Sequence, residues 1–201
     1  MILKNFIVFE GIDGAGTSTQ IKRIVEGNPD KYFATAEPTK GETGKFLRRM
    51  LSGEFHLDEK TNSFLFAADR CEHLYGKNGI IETINSGKTV ISDRYLFSSI
   101  AYQSVTCGTE LPELLNSTFP LPEYLFFFEI NPEISLARVN SRNENKEIYE
   151  KIDFQKKTAE LYNQVITKYE NSQTEMKIFR IDASKSIDEV TADISRVLNT
   201  K

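Results

Sequence analysis

Cysteine is scarce. Cys71 and Cys107 are the two in the chain, and neither has metal-ligating neighbours at useful spacing, which excludes a disulfide framework and a cysteine-built metal site. Both read as free thiols of a reducing compartment, so a cytoplasmic location is expected. No apolar stretch approaches the length of a membrane span. From Met1 to Glu10 there is neither the basic region nor the cleavage site of a secretory leader. Charge of one sign is lacking as well: a net charge of −4 over 201 residues offers no global attraction to nucleic acid or to an anionic membrane. Any phosphate affinity must then come from local clusters, and the expected ligand is small. Repeats and low-complexity linkers are absent too, and the length suits one α/β domain with a substantial core, expected to span residues 1–201.

A further absence sits inside a motif. Glu10-Gly11-Ile12-Asp13-Gly14-Ala15-Gly16-Thr17-Ser18-Thr19 has the spacing of a phosphate-cradling Walker A loop, with Thr17 where the motif calls for lysine. The apolar run Phe6-Ile7-Val8-Phe9 precedes it, and Gln20-Ile21-Lys22-Arg23-Ile24-Val25 follows with apolar residues at helical spacing, so the order is strand, glycine loop, helix. Three glycines let backbone N–H groups turn inward, and with the helix N-terminus they hold an anion without any side chain. Phosphate binding thus survives the exchange. What disappears is a mobile positive charge on the β- and γ-phosphates during transfer. Ser18 stands where a hydroxyl coordinates Mg²⁺.

Four more apolar runs follow, near Tyr32 to Thr35, Thr89 to Ser92, Tyr124 to Phe128 and Met176 to Phe179. Separated by helix-length segments, they predict five parallel strands buried on both faces, with ligands gathered at their C-terminal ends. Asn131-Pro132-Glu133 opens one helix and Ser186-Ile187-Asp188-Glu189 another. The densely polar stretch from Asn140 to Glu150 is either a mobile flap or a solvated helix connection.

The ends of the other runs carry candidate chemistry. Asp93-Arg94-Tyr95 closes the third: the acid is placed to hold Mg²⁺ through water and the arginine to clamp a second phosphate, or the two form a surface ion pair. Glu37-Pro38-Thr39-Lys40-Gly41 is a polar turn with one cation. In the helical segment from Phe64 to His73, Phe66 and Arg70 share a face. They either stack on and hydrogen-bond to a base, or belong to the core and to solvent respectively.

Jointly these segments resemble the thymidylate kinase family over nearly the full chain. The resemblance lies in Phe9 to Gly16, Glu37-Pro38-Thr39, Leu65 to Arg70, Asp93-Arg94-Tyr95 with Ser98 and Ala101-Tyr102-Gln103, and Ile181 to Ser184. It implies a P-loop kinase fold: a five-stranded parallel sheet flanked by helices, with a mobile lid at about 140–150 and a homodimer. The implied reaction is transfer of the ATP γ-phosphate to thymidine 5′-monophosphate (dTMP), giving the diphosphate in dTTP biosynthesis, with ATP and Mg²⁺ as the bound partners. Carried over, Gly11, Ile12, Asp13, Gly14, Ala15, Gly16, Thr17, Ser18 and Thr19 cradle ATP, and Ala183 and Ser184 lie under adenine. Ser18 and Asp93 hold Mg²⁺, Asp13 sits near the acceptor phosphate, and Arg94 binds it. Phe66 stacks on thymine, Arg70 reaches its exocyclic oxygen, Tyr102 faces the deoxyribose, and Ser99 and Gln103 face the base edge, with Glu37, Pro38 and Tyr149 completing the acceptor site. Arg142, Lys146, Tyr149 and Glu150 belong to the lid.

Departures from that pattern concern cations. Thr17 replaces the loop lysine, Ala36 precedes Glu37-Pro38 where many relatives carry arginine, and Lys146 occupies a lid position that often holds arginine. Losing one transition-state donor costs about 3 kcal/mol, and Lys40, Arg142 and Lys146 are the candidates to offset it, whereas Lys22 belongs on the solvent face of the first helix. Three readings follow: an active dTMP kinase, a catalytically weak nucleotide-binding or regulatory protein, and a related kinase acting on another nucleoside or nucleotide.

Overall fold

In the computed structural model, residues 1–141 and 151–199 are described. Five strands, β1 (Ile2–Gly11), β2 (Tyr32–Ala36), β3 (Thr89–Asp93), β4 (Leu121–Glu129) and β5 (Lys177–Asp182), form one sheet in the order β2-β3-β1-β4-β5. Every pairing is parallel, with Phe9 opposite Asp93 and Gly11 opposite Phe128. The helices are α1 (Thr17–Gly27), α2 (Glu42–Leu51), α3 (Glu59–Tyr75), α4 (Ile80–Asn85), α5 (Leu96–Cys107), α6 (Glu110–Asn116), α7 (Pro132–Asn140), α8 (Ile152–Glu170) and α9 (Ile187–Leu198).

The continuous apolar runs have a simple cause. Successive strand side chains point to opposite faces, so a strand covered on both sides must be apolar at every position. In β1, Phe6 and Val8 enter the core beneath α2, α3, α5 and α8, while Ile7 and Phe9 enter the core shared with α1 and α9. In β4, Leu125 and Phe127 face the first core, and Tyr124, Phe126 and Phe128 the second. Phe9 lies against Phe126 and Phe128 with ring centroids 5.0 and 5.2 Å apart. Each such ring contributes about 1.5–3 kcal/mol by leaving water.

Strand β1 is longer than its apolar run because the ladder to β4 continues through Ile2 and Leu3, past an irregularity between Leu3 and Ile7 where Asn5 has φ 57°. Strand β5 begins later than expected, at Lys177, and runs through Arg180 to Asp182. As an edge strand it tolerates charge that a central strand would not. Both expected helix starts are present: Asn131 accepts from the Glu133 N–H, and Ser186 and Glu189 cap each other's backbone.

What positions a site is the divergence after β1 and β3. Helix α1 leaves β1 to cover one face of the sheet, and α5 leaves β3 to cover the other. A crevice opens outside the C-terminal ends of these two adjacent strands, as expected where connections part to opposite sides.

Candidate functional site

The loop from Gly11 to Thr17 turns at two glycines, Gly14 with φ 84° and Gly16 with φ 96°. A Cβ on Gly14 would lie 2.4 Å from the Ser135 carbonyl oxygen, so both the turn and the approach of α7 demand glycine there. Ser135 also donates its hydroxyl to the Asp13 carbonyl, and the Ala15 N–H closes on the Ile12 carbonyl at 3.0 Å. Gly16 caps α1 with no side-chain hydrogen bond, and the helix has no acid in its first turn. Its free N–H groups and positive dipole end therefore face the crevice.

Asp93 ends β3 directly beside this loop. Its Oδ2 accepts the Ser18 hydroxyl at 2.5 Å. One carboxylate and one hydroxyl are the sparse protein set with which Mg²⁺ binds when phosphates and water complete its octahedron. Next along, Arg94 takes a left-handed conformation, φ 73°, held by its N–H on the Phe9 carbonyl at 2.9 Å and its carbonyl on the Ser92 hydroxyl at 2.7 Å. The guanidinium turns back over the loop. It pairs with Asp13 and donates to the Gly11 carbonyl at 3.1 Å, and Asp13 also accepts from Gln155 of α8 at 2.9 Å. Burial works against the Arg94 cation, but the oxygens of Tyr102 and Asp13 more than compensate and hold its pKa above that of ordinary arginine. Burial pushes the Tyr102 hydroxyl up, so it stays neutral as it accepts the Asp13 N–H at 3.2 Å.

A second cluster forms on α3. Arg70 does not snorkel outward: it is 1% exposed, sandwiched between the rings of Tyr95 and Phe119. Its terminal nitrogens reach Glu37 at 2.6 Å, Ser99 at 2.9 Å and Asn116. Glu37 in turn meets His73 at 3.0 Å, and His73 meets Thr35 at 2.6 Å. Among the described residues, Arg70 Nε and Gln103 Oε1 are buried without a hydrogen-bond partner. The turn after β2, which contains a cis Glu37-Pro38 bond, is anchored by buried Asp69, which accepts from the Thr39 N–H and from the Thr39 and Thr43 hydroxyls at 2.6–2.7 Å.

Both clusters open onto one cavity of about 380 Å³. Of the residues expected from sequence, Ile12, Asp13, Gly14, Gly16, Thr17, Ser18, Thr19, Glu37, Pro38, Phe66, Arg70, Asp93, Arg94, Ser99, Tyr102 and Gln103 line it. Gly11 and Ala15 underlie the loop without lining the cavity, and Ala183 and Ser184 stand apart at the end of β5. There Ala183 is tied by its N–H to the Glu129 carbonyl and by its carbonyl to Arg138. Arg142, Lys146, Tyr149 and Glu150 lie outside the described residues. Lys40 is exposed and outside the lining, and Lys22 faces solvent, 3.8 Å from Glu26.

Sequence reasoning missed several contributors, Gln155 and Tyr162 of α8 among them. Arg48 of α2 lines the cavity and donates to the Pro38 carbonyl, while its neighbour Arg49 pairs outside with Glu54. The signal was the helical phase, with Leu47, Met50 and Leu51 buried, though phase alone does not say which arginine meets a ligand. Asn116 and Glu10 act from behind the wall, and no spacing signals them. Glu10 is fully buried at the end of β1, where burial pushes its carboxyl up to about 7 against the opposing pull of Ser98, Arg94 and Tyr162.

Comparison with known proteins is consistent across the chain. The thymidylate kinase family model matches residues 9–194. A putative thymidylate kinase of Treponema pallidum (strain Nichols) is 41% identical over 192 residues, covering 94% of this chain and 92% of the relative. The thymidylate kinase of Leptospira borgpetersenii serovar Hardjo-bovis (strain L550) is 38% identical over 196 residues, covering 94% and 90%. A probable thymidylate kinase of Methanocaldococcus jannaschii is 38% identical over 196 residues, covering 96% and 95%.

Proposed function

The chain belongs to the thymidylate kinase family, and from that premise we propose that it transfers the γ-phosphoryl group of ATP to the 5′-phosphate of dTMP, releasing dTDP and ADP. The observation that carries this reading is the single cavity shared by the glycine loop and the Phe66–Arg70 wall. Phosphoryl transfer asks a protein mainly for positioning and charge stabilisation, and a donor and an acceptor must therefore meet in one enclosed space.

Base chemistry supports thymine at the α3 end. With its terminal nitrogens held by Glu37, Ser99 and Asn116, Arg70 still offers its Nε–H, and Gln103 its carbonyl oxygen, neither with a protein partner among the described residues. Thymine answers with the O4 acceptor and the N3–H donor, whereas cytosine offers an amine and a bare ring nitrogen at the same places. Phe66 supplies the ring surface, and the buried Tyr102 ring narrows the space beside the sugar.

At the other end, the backbone of Gly14 to Thr17 and the α1 N-terminus cradle the ATP phosphates. Ser18 and Asp93 would hold the Mg²⁺ that, when bound, screens the charge of the β- and γ-phosphates. Arg94 clamps the acceptor phosphate, with Asp13 and Gln155 keeping its guanidinium over the loop. Arg48 brings a second cation to the acceptor side, where Ala36 supplies none. An acceptor phosphate oxygen then attacks the γ-phosphorus while the bridging oxygen departs with ADP. For the charge that Thr17 does not provide, we assign Arg142 or Lys146. The same reading includes one catalytic unit over residues 1–201, a lid at about 140–150, adenine over Ala183 and Ser184, a homodimer and a cytoplasmic site of action.

The test is a coupled ADP-release assay with Mg-ATP and dTMP, dUMP, dCMP or UMP, run on the wild type and on Arg70→Ala. Turnover should be best with dTMP and poor with UMP. An unpaired buried polar group costs about 1–3 kcal/mol, so dTMP should exceed dCMP by roughly fivefold to a hundredfold in kcat/KM. Arg70→Ala should collapse that ratio. Absence of turnover with every acceptor would overturn the kinase reading, and equal use of dCMP would overturn the assignment of the base.

A further inference from the structure

Glu10, the penultimate residue of the central strand β1, is a fully buried acid that takes no direct part in phosphoryl transfer. Its Oε1 accepts the Tyr95 N–H at 2.8 Å and the Ser98 N–H at 3.2 Å. Its Oε2 accepts the Ser98 hydroxyl at 2.5 Å and the Tyr162 hydroxyl at 2.9 Å. Tyr95 is the N-cap of α5 and caps nothing with its own side chain, so a carboxylate from β1 does for this helix what a local Ser or Asp usually does. The two hydroxyls face Arg94 as well, whose Nη1 donates to Ser98 Oγ at 3.2 Å and to Tyr162 at 3.3 Å. Glu10 itself does not line the cavity, whereas Arg94, Tyr95 and Ser98 do.

Resting on the kinase reading above, we propose that Glu10 is a positioning residue for the acceptor side. Through Ser98 and Tyr162 it aims the Arg94 guanidinium, and through the α5 N-terminus it sets the helix that carries Ser99, Tyr102 and Gln103. An acid buried without a direct ion-pair partner among the described residues is costly. That cost is offset only where the carboxylate organises several donors at once, and here its donors belong to the segment that meets the acceptor. ATP instead meets the backbone of the glycine loop, which Glu10 does not hydrogen-bond.

Glu10→Gln isolates this role. A carboxamide still accepts from the two backbone N–H groups, but its amine must face the Ser98 and Tyr162 hydroxyls, which then turn and realign Arg94. The KM for dTMP and its calorimetric Kd should each rise roughly tenfold, with the KM for ATP within about twofold of wild type. Tyr162→Phe should raise the dTMP constants by a smaller factor, and the double variant should be no worse than Glu10→Gln alone, because the carboxylate acts on Arg94 through the hydroxyl. Unchanged dTMP constants in Glu10→Gln, or dTMP and ATP constants rising together, would overturn the proposal. If Glu10→Gln does not fold, the same split in Tyr162→Phe decides it. Wild-type turnover separates the two questions: its absence counts against the kinase reading, while the dTMP binding comparison still judges Glu10.

Discussion

At the scale of single residues, burial sets the chemistry, and Glu10 makes that measurable. Its carboxyl titrates at about 7 in the folded chain because burial raises it from the ordinary 4.5. Between those values the folded state keeps a proton that the unfolded chain has lost. Stability due to Glu10 is therefore fully present below about pH 4.5 and declines as the pH rises through 7, by about 3 kcal/mol in all. Urea unfolding of the wild type and Glu10→Gln at pH 5 and pH 8 should show the wild type losing most of that amount relative to the variant, and parallel pH curves would refute it. The arginines show how little of this is legible one residue at a time. Arg48 and Arg49 are adjacent and chemically identical, yet one lines the cavity and the other pairs with Glu54 on the surface.

At the scale of elements, the turn after β2 owes its shape to α3. Asp69, 1% exposed, accepts the Thr39 N–H and the Thr39 and Thr43 hydroxyls, and it thereby fixes the stretch that carries Glu37 and Pro38 to the cavity. Asp69→Ala would leave three donors without their acceptor. The expected outcome is a loss of about 2 kcal/mol in unfolding free energy with a raised KM for dTMP, and Asp69→Asn should recover part of both. Stability equal to wild type in Asp69→Ala would show that water replaces the carboxylate. Helices with a local start signal, such as α9 with its Ser186–Glu189 capping box, were readable from sequence. Helix α5 was not, because its cap comes from Glu10, more than eighty residues earlier in the chain.

At the scale of the whole molecule, the cavity joins the glycine loop with α1, β2, α2, α3, β3, α5 and α7, so a ligand that fills it should stabilise the fold as a unit. Ligand at a hundred times its Kd adds about 2.7 kcal/mol, or roughly 5–10 °C in Tm for a chain of this size. Mg-ATP alone should raise Tm in a thermal scan, and EDTA should reduce the gain, since the backbone cradle and the Ser18–Asp93 pair remain without the loop lysine. No shift at millimolar Mg-ATP would mean that Thr17 has cost the chain its nucleotide. What the sequence by itself determined was local: the alternation of strands and helices, the glycine loop with its missing lysine, and the residue types that a phosphate and a base require. Periodicity and spacing within about ten residues carry that information, because backbone geometry repeats over that range. Tertiary structure decided which groups converge: Arg70 turned inward between two rings, Arg94 folded back onto Asp13, Arg48 chosen over Arg49, and Glu10 set behind them all. Those partners are distant in the chain, and a side chain's charge, exposure and direction depend on what packs against it.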